Sequence, residues 1–216
     1  MRRKSRFPKF LFLLLLLGGG YFGYRYFIES SQPVDAAFVS EANQKLQTDG
    51  QKMPLILQTD PTWANTPYGS GSTTNDLATN GCAIASLAMV ASFYQSRNVS
   101  PQEILNWSGN TYYTEGSGTA WSIFSAFAAN NGLNYQNLGV DGSAIQNALN
   151  RNIPVVLSVN PGEFTDVGHI MVIMKDLNTD QIRVFDPNDS PRKKHYNQTY
   201  NLIDILNQTS NAWAFS

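Results

Sequence analysis

Cysteine occurs once in this chain, at Cys82, and histidine only twice, at His169 and His195. A single cysteine excludes an intramolecular disulfide, so the fold must be held by its core. One cysteine and two distant histidines, without an H-x-x-x-H spacing, argue against a metal centre, and no cofactor is expected. Charge is also scarce. Only 14% of the 216 residues are charged and the net charge is -1, which excludes the basic footprint of a nucleic-acid binder. No phosphate-binding loop and no internal repeat are present.

The basic residues that do occur are concentrated at the start: Arg2, Arg3, Lys4, Arg6 and Lys9 precede an apolar run over residues 10–28, broken by Arg25. Positive charge ahead of a span about one bilayer thick predicts a cytoplasmic tip and a transmembrane signal anchor over residues 1–29, with the remainder outside the cell. The rival reading is secretion after cleavage of a signal peptide at Val34-Asp35-Ala36. No cysteine follows the run, which argues against a lipoprotein anchor. Residues 30–53 read as a juxtamembrane stalk in which Asp35 caps a short helix through Leu46. Residues 54–216 are enough for one domain with a sizeable core.

The domain opens on Leu55-Ile56-Leu57, read as a strand ending at Gln58, with a turn at Asp60-Pro61. A polar loop over residues 68–80 leads to Thr79-Asn80-Gly81-Cys82. The run from Ala83 to Tyr94 is nearly all apolar or small and reads as a buried helix capped by Thr79 or Asn80, with Cys82 in its first turn. The positive end of a helix favours a thiolate. On this stretch alone, Cys82 reads equally well as a small buried hydrophobe. A lone cysteine in an exported protein nevertheless faces oxidants, and a catalytic thiol is one reason to keep it. Ser100-Pro101-Gln102-Glu103 is a capping box with proline at the first helical position. Further helices are expected at 120–130 and, from a second capping box at Ser143–Gln146, up to Asn150.

Beyond Asn150 the pattern changes to strands. Residues 153–159, 169–174 and 181–185 are β-branched and apolar, joined by short turns. A short helix at 202–206 and a last strand at 212–215 complete the chain. Helices first and strands afterwards predict an α+β fold, with N-terminal helices packed on a mainly antiparallel sheet. In the hairpin between the second and third of these strands, His169 and Asp186 are equidistant from Leu177-Asn178 and are expected to be cross-strand neighbours. The carboxylate could then orient the imidazole, giving nucleophile, base and orienter in the order Cys, His, Asp. His195 lies in the basic run Arg192-Lys193-Lys194 and reads as part of a surface loop with no catalytic part. Gln58, just ahead of the cysteine helix, could donate an amide N–H to a carbonyl oxygen that gains charge during acyl transfer, together with the backbone N–H of Cys82.

The ordered set Gln58-Thr59-Asp60 with Trp63, Gly81-Cys82 leading into Ser86-Leu87-Ala88-Met89-Val90, Gly168-His169 and Asp186-Pro187 resembles the papain-like cysteine peptidases of the bacteriocin-processing, double-glycine leader type. More narrowly, it resembles their stand-alone cell-surface relatives. The resemblance runs from about Leu55 to Phe215. It implies a papain-like fold with Cys82 as nucleophile, His169 as general base and acid, Asp186 as orienter and Gln58 as oxyanion donor. Many members carry Gly-Pro after the cysteine, where this chain has Ala83-Ile84, a departure that bears on the shape of the cleft. The expected activity is hydrolysis of a peptide or protein substrate at the membrane surface of a Gram-positive-like bacterium. The competing expectations are a cell-wall amidase or endopeptidase of the NlpC or CHAP type, and an inactive papain-like module that binds a peptide or wall component.

Overall fold

The computed structural model describes residues 34–71 and 75–216. The anchor, the signal-peptide alternative up to residue 33 and the first residues of the stalk lie outside the described part. Among the described residues no helix is long and apolar enough to cross a membrane.

The sheet that the strand-like sequence pattern predicts has five antiparallel strands, in the order β3-β7-β4-β5-β6. They are β3 (Tyr135–Asn137), β4 (Val155–Val159), β5 (His169–Lys175), β6 (Ile182–Phe185) and β7 (Thr209–Phe215). Both faces are covered, which is why the central strands are apolar throughout rather than alternating. Val156, Ile170, Val172, Met174, Phe185, Trp213 and Phe215 face one core. Their strand neighbours Val155, Leu157, Met171, Ile173, Val184 and Ala212 face the other. The two sets interleave along each strand, as the period of two requires.

The first face is filled by helices. α1 spans Ala36–Thr48, α2 Leu77–Asn80, α3 Cys82–Gln95, α4 Pro101–Ser108 and α5 Ser122–Asn131. A two-stranded ribbon, β1 (Tyr113–Thr114) and β2 (Gly118–Thr119), lies between α4 and α5 where the sequence suggested only a loop. α6 (Gly142–Asn150) and the short α7 (Leu202–Leu206) cover the second face. The capping box at Ser100 forms as expected, with both reciprocal bonds made. α6 is capped two residues earlier than predicted. Asp141, not Ser143, accepts from the backbone N–H groups of Ser143 and Ala144.

Two expectations for the start of the domain need correction. Residues 55–57 form no strand. Asn43 of α1 instead satisfies the extended backbone there, accepting from the Leu55 N–H at 2.9 Å and donating to the Leu55 carbonyl at 3.0 Å. From Val34 on, the segment read as a stalk is also part of the core. Phe38, Ala42 and Leu46, at the i, i+4, i+8 spacing of one helix face, are all buried against the domain. Val34–Ser216 therefore forms one compact unit. Asp35 does cap α1, as predicted, through the Phe38 N–H at 2.8 Å.

Candidate active site

Cys82 is the first residue of α3, and its setting is prepared by the preceding turn. Asp76 caps α2 by accepting from the Thr79 N–H, and the chain then turns through Gly81 into α3. Gly81, rather than Thr79 or Asn80, stands at the N-cap, with no side-chain cap bond. A Cβ at Gly81 would lie 2.3 Å from the Leu77 carbonyl oxygen, so only glycine allows the two helices to join this closely. Residues 83–92 of α3 are buried, and the helix packs across β5. One turn beyond Cys82, Ser86 Oγ makes a long bond of 3.5 Å to the Ile170 carbonyl, which places the cysteine end of the helix beside the start of β5.

There Cys82 meets His169, the first residue of β5. The His169 ring and the backbone N–H groups of Ile170 and Ala83 lie close enough to the sulfur to favour its thiolate form. His169 Nε2 is 2.7 Å from Asp186 Oδ1, so the other ring nitrogen, Nδ1, is the one left for the sulfur. Burial by itself pushes the Cys82 thiol up. The bond to His169 and the charge of its ring outweigh burial and hold the thiol below its ordinary value. His169 behaves as the complement. Burial disfavours its charged form, but the bonds to Asp186 and Cys82 raise its pKa to about 9. A lowered thiol beside a raised imidazole favours the thiolate–imidazolium pair, the nucleophilic form of a thiol.

The carboxylate lies where the hairpin argument predicted, though by a different register. β5 and β6 set Val172 opposite Phe185. Continuing that ladder places Met171, not His169, opposite Asp186. The hairpin turn is centred one residue later than expected, because Asp176 closes it with Gln181 and its side chain accepts from the Asn178 N–H and the Thr179 hydroxyl. A register change of two residues keeps both side chains on the same face. His169 and Asp186 are thus diagonal neighbours, and the far nitrogen of the ring makes the contact. Asp186 is fully buried. Burial alone would raise its pKa, but its bonds to His169 and His195 hold it well below the usual carboxylate range.

His195 was expected to be exposed in a basic loop. It is only 5% exposed, and its Nδ1 donates to Asp186 Oδ2 at 2.9 Å. Lys193 reaches the same oxygen at 3.0 Å. What the sequence reading missed is a turn begun by Asp189-Ser190-Pro191. The buried Asp189 accepts from the Ser190 and His195 N–H groups on one oxygen and from the Tyr196 N–H on the other, folding the basic run back onto Asp186. Asp186, Asp189 and His195 bring possible metal-ligand atoms within 4.8 Å of one another. The Asp186 and Asp189 oxygens there are already engaged by N–H donors and by the Lys193 ammonium.

Gln58 is buried beside this group, and its backbone N–H donates to the Pro187 carbonyl at 2.8 Å. Its Nε2 donates to the Ala78 carbonyl at 2.7 Å, four residues before Cys82. The Ala78 carbonyl dictates which end of the amide is nitrogen, and Oε1 is left buried without a partner. An unpaired buried acceptor costs about 1–3 kcal/mol and calls for an explanation.

Cys82 and His169 open on a cleft of about 710 Å³. Tyr113 and Thr119 of the ribbon, Trp121, Asn80 and Val167 contribute to its walls, and among the described residues no Lys, Arg, Asp or Glu lines it. The ribbon is held in place by Tyr68, whose hydroxyl is 2.7 Å from Thr119 Oγ1, and by the Tyr113 hydroxyl bonded to Asn75. Trp121 and Val167 are 46% and 67% exposed and give the same cleft apolar surface.

Among solved structures, the peptidase domain of Streptococcus ComA, a bifunctional ABC transporter of a quorum-sensing pathway, is 20% identical, with 64% of this chain and 92% of that one covered and a TM-score of 0.48. A double-glycine-motif protease from an AMS/PCAT transporter, solved with its leader peptide, is 17% identical over 62% and 82% of the two chains, with a TM-score of 0.45. A C39-like peptidase described as putative, from Bacillus anthracis, is 16% identical over 63% and 88%, with a TM-score of 0.40. None of the curated proteins compared matches the chain. A family profile described as Peptidase C39-like matches residues 51–215. With most of its length inside that match, the chain belongs to the Peptidase C39-like family.

Proposed function

We propose that this protein is a thiol peptidase, with Cys82 as nucleophile, His169 as general base and acid, Asp186 as orienter and Gln58 as oxyanion donor. The observation that carries this reading is the alignment of Cys82 with His169, itself bonded to Asp186 at 2.7 Å, at the wall of an open cleft. The Cys82 thiolate attacks a peptide carbonyl carbon, and the carbonyl oxygen takes up the negative charge. The backbone N–H of Cys82 and the Gln58 amide are the donors for that oxygen. As the tetrahedral intermediate collapses, His169 gives its proton to the leaving amine and a thioester remains. Water then attacks the thioester, His169 takes its proton, and the acid product leaves with the thiolate regenerated. Throughout, Asp186 holds the ring and stabilises its charged form.

The lining of the cleft favours an uncharged stretch of peptide around the scissile bond, with an apolar side chain against Trp121 or Val167. The leader peptide bound by the AMS/PCAT protease is consistent with a peptide substrate. We place the enzyme on the outer face of the cell membrane, held by residues 1–29, from the charge and hydropathy of that segment. The test is hydrolysis of a peptide library by wild type and Cys82→Ala, with purified peptidoglycan as a parallel substrate. Cleavage of peptides that disappears in Cys82→Ala, whose melting temperature stays within a few degrees of wild type, is the expected outcome. Release of wall fragments alone would mean a wall amidase or endopeptidase. No Cys82-dependent product from either substrate would mean a binding module.

A further inference from the structure

We infer that His195 is a positioning residue for this site, locking Asp186 so that it can hold His169. The inference rests on the peptidase reading above. A carboxylate offers two oxygens with about four acceptor sites. On Asp186 all four are used. Oδ1 accepts from His169 Nε2 at 2.7 Å and from the Asn188 N–H at 2.7 Å. Oδ2 accepts from His195 Nδ1 at 2.9 Å and from Lys193 Nζ at 3.0 Å. The Oδ1 bonds hold one edge of the carboxylate, and the Oδ2 bonds prevent its rotation about Cβ–Cγ. They also keep it ionised in a place where burial favours the neutral acid.

The two Oδ2 donors are not equivalent. Lys193 is a flexible ammonium, 20% exposed at its side chain and shared with the Phe164 carbonyl. His195 is a rigid, directional donor. Phe164 and Tyr200 meet its ring edge-on, and Asp189 binds its backbone N–H. Lys194 just before it takes a left-handed conformation at φ 49°, uncommon for a side-chain-bearing residue. The charged groups around the ring are Asp186, Asp189 and Lys193 on its own loop, with Glu163 acting on the adjoining Tyr200. The turn is thus built to present one N–H to one oxygen, and His195 acts on Cys82 only through Asp186 and His169.

The experiment measures the rate at which iodoacetamide alkylates Cys82 at neutral pH, which needs no knowledge of the substrate. Wild type is compared with His169→Ala, His195→Ala, His195→Asn and His195→Gln. Asparagine places an amide nitrogen near the position of Nδ1, and glutamine places one near Nε2. The expected result is a loss of about tenfold in His195→Ala, restored by asparagine to within about twofold but not by glutamine. The low-field proton resonance of the His169–Asp186 bond should move in His195→Ala and return in His195→Asn. If His195→Ala does not fold, the comparison of Asn with Gln decides, because both keep a polar amide of similar size. Equal rates for those two would overturn the inference, as would wild-type reactivity in His195→Ala. A wild type no faster than His169→Ala would instead remove the peptidase reading and this inference with it. Reactivity that depends on His169 but not on His195 would remove the inference alone.

Discussion

Asp186→Asn is the sharpest perturbation of the proposed site, because the carboxylate is fully buried and every acceptor position on it is occupied. Asparagine keeps the shape but turns one oxygen into a donor. If the NH2 replaces Oδ1 it faces His169 and the Asn188 N–H. If it replaces Oδ2 it faces His195 and Lys193. Either way two donors confront a donor, and removing one partner of a buried charged pair costs about 3–5 kcal/mol of stability. The chemical effect is separate. His169 owes its pKa of about 9, against an ordinary 6.5, first to Asp186 working against burial. Without the carboxylate only Cys82 is left to oppose burial, so the population of the imidazolium at a fixed pH should fall by about tenfold or more, equivalent to about 1.4 kcal/mol or more. The thiolate loses its partner to the same extent. The assay is a pH titration of thiolate ultraviolet absorbance, with Cys82→Ala subtracted, in wild type and Asp186→Asn. Wild type should show thiolate well below the ordinary thiol range, and the variant should show it appearing only at clearly higher pH. Superimposable titrations would refute the argument that Asp186 sustains the ion pair.

The remaining expectations are simpler. The kcat/KM for peptide hydrolysis should fall as the pH rises through about 9, where His169 loses the proton it must donate, while alkylation of the thiolate continues undiminished. Because the folded-state pKa of His169 lies above its unfolded value, its stabilising contribution is complete below about pH 6.5 and disappears as pH rises through about 9. The difference in melting temperature between wild type and His169→Ala should shrink over that interval. Gln58→Ala should lower kcat by ~10²–10³ with little change in KM if the amide stabilises the oxyanion, and an unchanged kcat in steady-state kinetics would exclude that role. Phe38→Ala should cost about 3–5 kcal/mol in chemical denaturation, as for any large buried aromatic. A loss below ~1 kcal/mol would show that α1 contributes little to the domain.

Much of this molecule was legible because its signals are local. The capping box at Ser100, the proline at 101 and the unbroken apolar run after Cys82 each declare a helix without reference to the rest of the chain. The diagonal meeting of His169 with Asp186 was also within reach, since strand parity survives a turn displaced by one residue. Other features depend on partners far away in sequence. Tyr135–Asn137 is too short and polar to announce itself and becomes a strand by pairing with β7. Leu55 reads as a strand because its backbone needs partners, and Asn43 supplies them from a helix. The burial of His195 was hidden by the lysines beside it. Composition shows the charge of a loop but not the buried aspartate around which it closes.

The packing of α1 sets a practical limit on dissecting this protein. Its Phe38 ring meets Tyr196 edge-on, Glu41 receives the Tyr196 hydroxyl, and Asp49 is ion-paired with Arg183 at 3.1 Å. Tyr196 directly follows His195 on the turn that Asp189 secures. A recombinant fragment trimmed to the family match at residue 51 would lack that helix entirely. Such a fragment would bare Tyr196 and Leu55 to solvent and loosen the turn behind the carboxylate. Weak turnover by a trimmed fragment would therefore indict the trimming before it indicted the chemistry.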